Sequence, residues 1–200
     1  MGSTVVGMTD TTDAPTSWEP PVAGSETEHL VAMLERLRAT FRWKAGGLDS
    51  AGLAVSVGAS ALTLGNLLKH LALVEDDIFG SRFADVPVTS TWDMSTYDGP
   101  GWEFRSAVDD SPEELYALYD DAVARSRDHL AEALASGGLD RPGAQEWPDG
   151  RSPSLRRHVC DAIEEYGRHT GHADLIREAV DGRVGEDVPQ GWTPEGPPAG

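Results

Sequence analysis

Cysteine is nearly absent from this 200-residue chain, and Cys160 is the only one. A single thiol cannot close an internal disulfide, so the fold must stand without one, as expected in a reducing cytoplasm. Long apolar runs are missing too, and no stretch approaches the roughly 20 apolar residues of a membrane span. The first 21 residues contain neither a cationic start nor an apolar segment of signal-peptide length, which again predicts a cytoplasmic protein. Positive charge is scarce: 16 basic residues face 34 acidic ones, for a formal net charge of -18. Such a surface repels phosphate backbones and anionic lipid, so neither nucleic acid nor membrane is an expected partner. Among the basic residues only Lys44 and Lys69 are lysine, the arginine-heavy usage of a GC-rich genome. No phosphate-binding glycine loop, nucleophile elbow or zinc-finger cysteine pattern is present.

What is present is helical periodicity. Residues 1–24 and 183–200 show none and read as mobile tails, leaving 25–182 as one domain. Ser25-Glu26-Thr27-Glu28 has the form of a capping box. Leu30, Met33, Leu34, Leu37 and Phe41 follow at helical spacing until Gly46-Gly47 stops them. A second helix is predicted from about Thr63 to Phe79, striped by Leu64, Leu67, Leu68, Leu71, Val74 and Ile78. A third opens at Ser111-Pro112-Glu113-Glu114 and runs to about Ala135. A fourth starts at Ser152-Pro153 and runs to about Val180, and no segment alternates with a strand's period of two. Four such helices predict an all-α four-helix bundle, with a crossover of about thirty residues between the second and third. That crossover carries Trp92, Tyr97 and Trp102, which either cap one end of the bundle or face a substrate. Gly46-Gly47-Leu48-Asp49 and Gly137-Gly138-Leu139-Asp140 form a weak internal echo that suggests two related helix pairs.

The chemistry concentrates on the fourth helix. Glu165 and His169 are four residues apart, and His172 and Asp161 extend the same row along the edge of the apolar stripe. Glu164 points to the solvent face. Acids and imidazoles at a buried edge need partners or a cation, because burying them unpaired costs several kcal/mol each. On the second helix His70 lies beside Leu67, Leu71 and Val74, where a bundle can bring it to Glu165 and His169. Two histidines and a carboxylate leave coordination positions open, as a catalytic divalent metal requires; hydrogen-bonded core histidines are the competing reading. By the internal echo, Asp161 is the counterpart of His70, each 24 residues beyond its glycine pair. His29, His129 and His158 sit among charged neighbours and read as solvated, and Cys160 lies off the row.

The strings LTLGNLLKHLALVE and EEYGRHTGHADLIREAVDG together resemble the DinB-like superfamily of metal-binding four-helix bundles. They are most similar to its actinobacterial branch, related to mycothiol S-transferases and mycothiol-dependent maleylpyruvate isomerases. The resemblance covers roughly residues 25–182. It implies a mononuclear divalent metal held by His70, Glu165 and His169, zinc before nickel or manganese. It also implies mycothiol as co-substrate, transferred as a metal-activated thiolate to a small electrophile, with an isomerase-type reaction as a variant. Asp161 stands where many relatives have His, and His172 where many have Gln; both are assigned to acid–base or outer-sphere roles. Arg168 and Arg177 are candidates to contact the sugar-containing thiol, against surface ion pairs as the other assignment. The same site admits two other readings: hydrolysis by metal-activated water, or a non-enzymatic metal-binding stress or accessory protein. The expected assembly is a monomer or homodimer.

Overall fold

Each long helix begins at a hydroxyl that satisfies free backbone N–H groups. In the computed structural model, which describes residues 19–198, the Ser25 hydroxyl accepts from Glu28 N and the Glu28 carboxylate accepts from Ser25 N at 2.7 Å. Helix α1 (Glu26–Ala45) follows and gives way at Gly46. Asp49 caps a short α2 (Ser50–Leu53), and a Thr63–Asn66 capping box starts α3 (Leu64–Glu75). The chain does not stop there but loosens into a π-helical stretch, Asp76–Phe83. The crossover contains a short helix, α4 (Trp102–Ser106), and two short 3-10 turns. The Ser111 capping box with Pro112 opens α5 (Pro112–Ser136). Helix α6 (Leu155–Asp181) begins two residues later than its sequence signal, capped by Ser154 and not Ser152. Pro153 O is already accepting from Gly143 N, and Ser154 pairs with Pro142 in an antiparallel bridge, so the backbone there is extended. Gly182, with φ 79, ends α6 in the left-handed conformation that glycine adopts without strain.

The protein is all-α, and no strand occurs among the described residues. Helix α1 packs along α6 and α3 along α5, with α3 also against α6, which makes the long helices a four-helix bundle. Leu34, Phe41, Leu67, Leu71, Tyr119 and Tyr166 are among the buried apolar side chains that converge between them. The internal echo has a structural counterpart. Thr63, the cap of α3, bridges Ser56 just as Ser154, the cap of α6, bridges Pro142. No helix among the described residues is long and apolar enough to cross a membrane.

One expectation about the tails needs correction. The C-terminal segment is non-helical but docked, not loose: Val188 is buried and Asp187 pairs with Arg36 at 2.5 Å. Glu195 O accepts from Arg42, and Arg183 donates to Trp43 O, so charge and one apolar anchor hold the segment along α1. Of the expected N-terminal tail, residues 1–18 lie outside the described residues.

The centre of the core is polar. Arg38 is 1% exposed and Glu75 0%, joined by two hydrogen bonds of 2.7 and 2.6 Å. Tyr166 donates to Glu75 at 2.7 Å, and the Tyr119 hydroxyl lies 3.0 Å from that of Tyr166. Burial opposes the Arg38 charge, but Glu75 beside it more than offsets this and raises its pKa. Removing one member of such a pair strands a buried charge, at a cost of about 3–5 kcal/mol. Glu75→Gln should therefore lower unfolding stability by about that amount in urea titrations, whereas Glu35→Gln, at the half-buried end of the network, should cost less than about 1 kcal/mol. Equal losses would show that the central pair has no special weight.

Candidate metal centre

His70 follows the cap of α3 by seven residues, which turns it from the apolar stripe towards α6. There it meets Glu165 and His169, one turn apart on α6. One ligand atom from each of the three lies within 4.8 Å of the others. Glu165 Oε2 is 3.4 Å from His169 Nε2 and 3.8 Å from His70 Nε2. The two imidazole rings meet edge-on with centroids 4.8 Å apart.

The far sides of both rings are also occupied. His70 Nδ1 lies 3.1 Å from Glu103 Oε1, and a carboxylate can only accept, so Nδ1 carries a proton and the neutral form of the ring presents its lone pair at Nε2. The face of the same ring stacks on Phe104 at 4.5 Å. His169 Nδ1 lies 3.3 Å from His172 Nδ1, and the neutral His169 tautomer that donates from Nδ1 across this contact has Nε2 unprotonated. Burial, with help from neighbouring His70 and His172, pushes the His169 pKa down to about 4, so the ring is neutral at physiological pH. Three electron-pair donors thus converge on one point. Among the described residues no lysine or arginine is within ion-pair distance of Glu165. Lone pairs facing each other repel unless a cation lies between them. Two imidazoles and one carboxylate, with outer hydrogen bonds fixing both rings, suit a divalent ion with open coordination positions.

Beyond this group opens a cleft of about 680 Å³, bounded by α3, the crossover and α6. Asp161 lines it, with Oδ1 accepting from Arg157 Nε at 2.7 Å. Tyr97 reaches the cleft as well, but Trp92 and Trp102 do not line it. Both tryptophans are buried, and their indole N–H groups donate to Asp76 and Thr96, so they cap the bundle.

The remaining assignments divide. His172 borders the group, touching His169. Arg168 is exposed and pairs with Glu164, whose side chain is 66% exposed, as its helical phase requires. Arg177 is not brought to the site. It lies two turns beyond His169, roughly 12 Å along the helix. At 1% exposure its guanidinium is consumed by Lys44 O, Gly46 O and Asp181. Those two carbonyls are free acceptors at the end of α1, and satisfying them explains why an arginine is buried there. His158 is also corrected: it is 2% exposed, edge-on to Phe83. Burial lowers its pKa, so it is not a solvated histidine. Cys160 is exposed. Glu103 and Phe104 escaped the sequence reading because they sit on a one-turn helix, 33 or more residues from His70, with no periodicity to mark them.

A family model described as Mycothiol-S-transferase matches residues 29–182. No curated protein and no solved structure matches the chain.

Purified protein should take up about one divalent ion per chain, measured by elemental analysis after dialysis against zinc. His70→Ala and His169→Ala should abolish uptake. Glu165→Gln should weaken it by about tenfold or more, as expected for the loss of an anionic ligand, and Glu164→Gln should change it little. No uptake by the wild type, or equal effects of the two glutamate variants, would contradict the assigned centre.

Proposed function

The chain belongs to the mycothiol-S-transferase family, and from that premise we propose that it is a divalent-metal-dependent enzyme that activates mycothiol for transfer to a small electrophile. The observation that carries this reading is the convergence of His70 Nε2, His169 Nε2 and a Glu165 oxygen beside an open cleft that His70 and Glu165 line. A free thiol is mostly protonated at neutral pH and nucleophilically weak. A divalent cation in this position, most suitably zinc, supplies the positive charge that favours the thiolate and holds its sulfur in place.

The chain's own residues account for the rest. His70, Glu165 and His169 hold the cation, and three protein ligands leave room for a substrate sulfur. Glu103, which accepts from His70 Nδ1, and His172, which contacts His169 Nδ1, fix the two rings from behind and keep each Nε2 directed inward. Asp161 is placed on the cleft wall with one oxygen on Arg157, which leaves Oδ2 to accept the proton that the thiol gives up. No protein nucleophile is required, and exposed Cys160 takes no part.

Mycothiol incubated with zinc-loaded protein and a panel of electrophiles should yield S-conjugates, detected by mass spectrometry, faster than without protein. The acceleration should disappear in His169→Ala and persist in Cys160→Ser. In cobalt-loaded protein, added mycothiol should produce a near-ultraviolet charge-transfer band with the same dependence on these variants. Normal metal uptake with neither band nor conjugate would remove the thiol-transfer reading and leave metal-activated hydrolysis or a non-enzymatic role.

A further inference from the structure

The cleft in front of His70, Glu165 and His169 restricts what can approach as the second substrate. One side is apolar, formed by Leu73, Val74, Val88 and Met94. The charged lining comprises five carboxylates and only two guanidiniums. Both guanidiniums are committed, Arg82 to Asp77 and Arg157 to Asp161, while Glu164 is paired outward with Arg168. Glu103 and Glu165 remain, with histidine contacts but no guanidinium within ion-pair distance among the described residues. Their two negative charges match those of a divalent cation, and a thiolate then leaves the centre one negative charge in excess. The whole chain, at a formal net charge of -18, carries the same sign. A cleft lined by one sign of charge concentrates ligands of the opposite sign and repels its own.

We infer that the cleft selects electrophiles that are uncharged or cationic near the reacting carbon and carry an apolar portion, and that it rejects carboxylate-bearing ones. The Asp77–Arg82 pair is the gate on this selectivity, because it cancels a guanidinium that would otherwise receive an anion. This rests on the thiol-transfer reading, and narrows it towards conjugation and away from isomerisation of a dicarboxylate.

Three electrophiles with one reactive group separate the possibilities: iodoacetamide, iodoacetate and a haloacetamide bearing a quaternary ammonium. In each, the mycothiol sulfur forms a C–S bond as the carbon–halogen bond breaks; the halide leaves with the bonding pair and the thiol proton passes by way of Asp161 to buffer. Rates with zinc-loaded protein are divided by the uncatalysed rate of the same pair at the same pH. The enhancement for the amide and the cation should exceed that for iodoacetate by about tenfold or more and narrow with added salt. Asp77→Asn should raise the iodoacetate-to-iodoacetamide ratio several-fold by releasing Arg82. An enhancement for iodoacetate equal to that for iodoacetamide would overturn the proposal. If none of the three is accelerated, thiol transfer fails, and charge selection is then judged from binding alone. Choline, its carbon isostere tert-butylethanol and the anion of tert-butylacetic acid share one shape and can be compared on zinc-loaded protein by saturation-transfer NMR. The anion should bind several-fold more weakly than choline; equal or tighter binding would overturn the inference.

Discussion

A buried ion pair sets the register on which the site depends. Glu75 lies five residues beyond His70 on α3, and Tyr166 lies between Glu165 and His169 on α6. The 2.7 Å hydrogen bond from Tyr166 to Glu75 therefore ties the helix of His70 to that of Glu165 and His169, about one turn from these residues. Glu75 cannot move to relieve strain, because its carboxylate also accepts both hydrogen bonds from Arg38 of α1. A carboxylate in that position would be costly alone; with a bidentate guanidinium and a phenol its acceptor sites are filled. An apolar core of the same volume could be as stable, but it would tolerate sliding between helices. A hydrogen-bonded carboxylate does not.

With the register fixed, electrostatics dictates what the site can hold. The outer faces of His70 and His169 are met by Glu103 and His172, so the inner nitrogens point at Glu165, which among the described residues has no lysine or arginine within ion-pair distance. Helix α4 is central to this. It supplies both the carboxylate that orients His70 and the ring of Phe104 that stacks on it. The long crossover is thus part of the centre as well as the wall of its cleft, and its tryptophans anchor it through Asp76 and Thr96. A connection that shapes both ligand orientation and cleft lining can alter substrate choice without disturbing the bundle.

The helices were legible in the sequence because their signals are local. Ser25, Thr63 and Ser111 each satisfy backbone groups three residues away, and stripes such as Leu64, Leu67, Leu68 and Leu71 follow the helical period. The row on α6 and His70 on α3 were legible for the same reason, since spacing of three and four fixes a face. What could not be read depends on contacts between distant segments. Glu103 reaches His70 from a single turn, Arg38 meets Glu75 across 37 residues, and Arg177 is buried by carbonyls at the end of another helix. Charged residues inside a core look like surface residues until their partners are known, and His158 misled in the same way. The docking of residues 183–198 on α1 was hidden because Val188 and a few ion pairs leave no periodic pattern.

The central claim is that these constraints assemble one divalent-ion site from two helices, oriented from the crossover. Anomalous diffraction at the zinc edge, from crystals grown with zinc, tests it most directly. The expected result is a single strong peak about 2.0–2.2 Å from His70 Nε2, His169 Nε2 and a Glu165 oxygen, with Glu103 still on His70 Nδ1. A peak elsewhere, or a zinc held by His172 or Asp161 in place of Glu165, would contradict it.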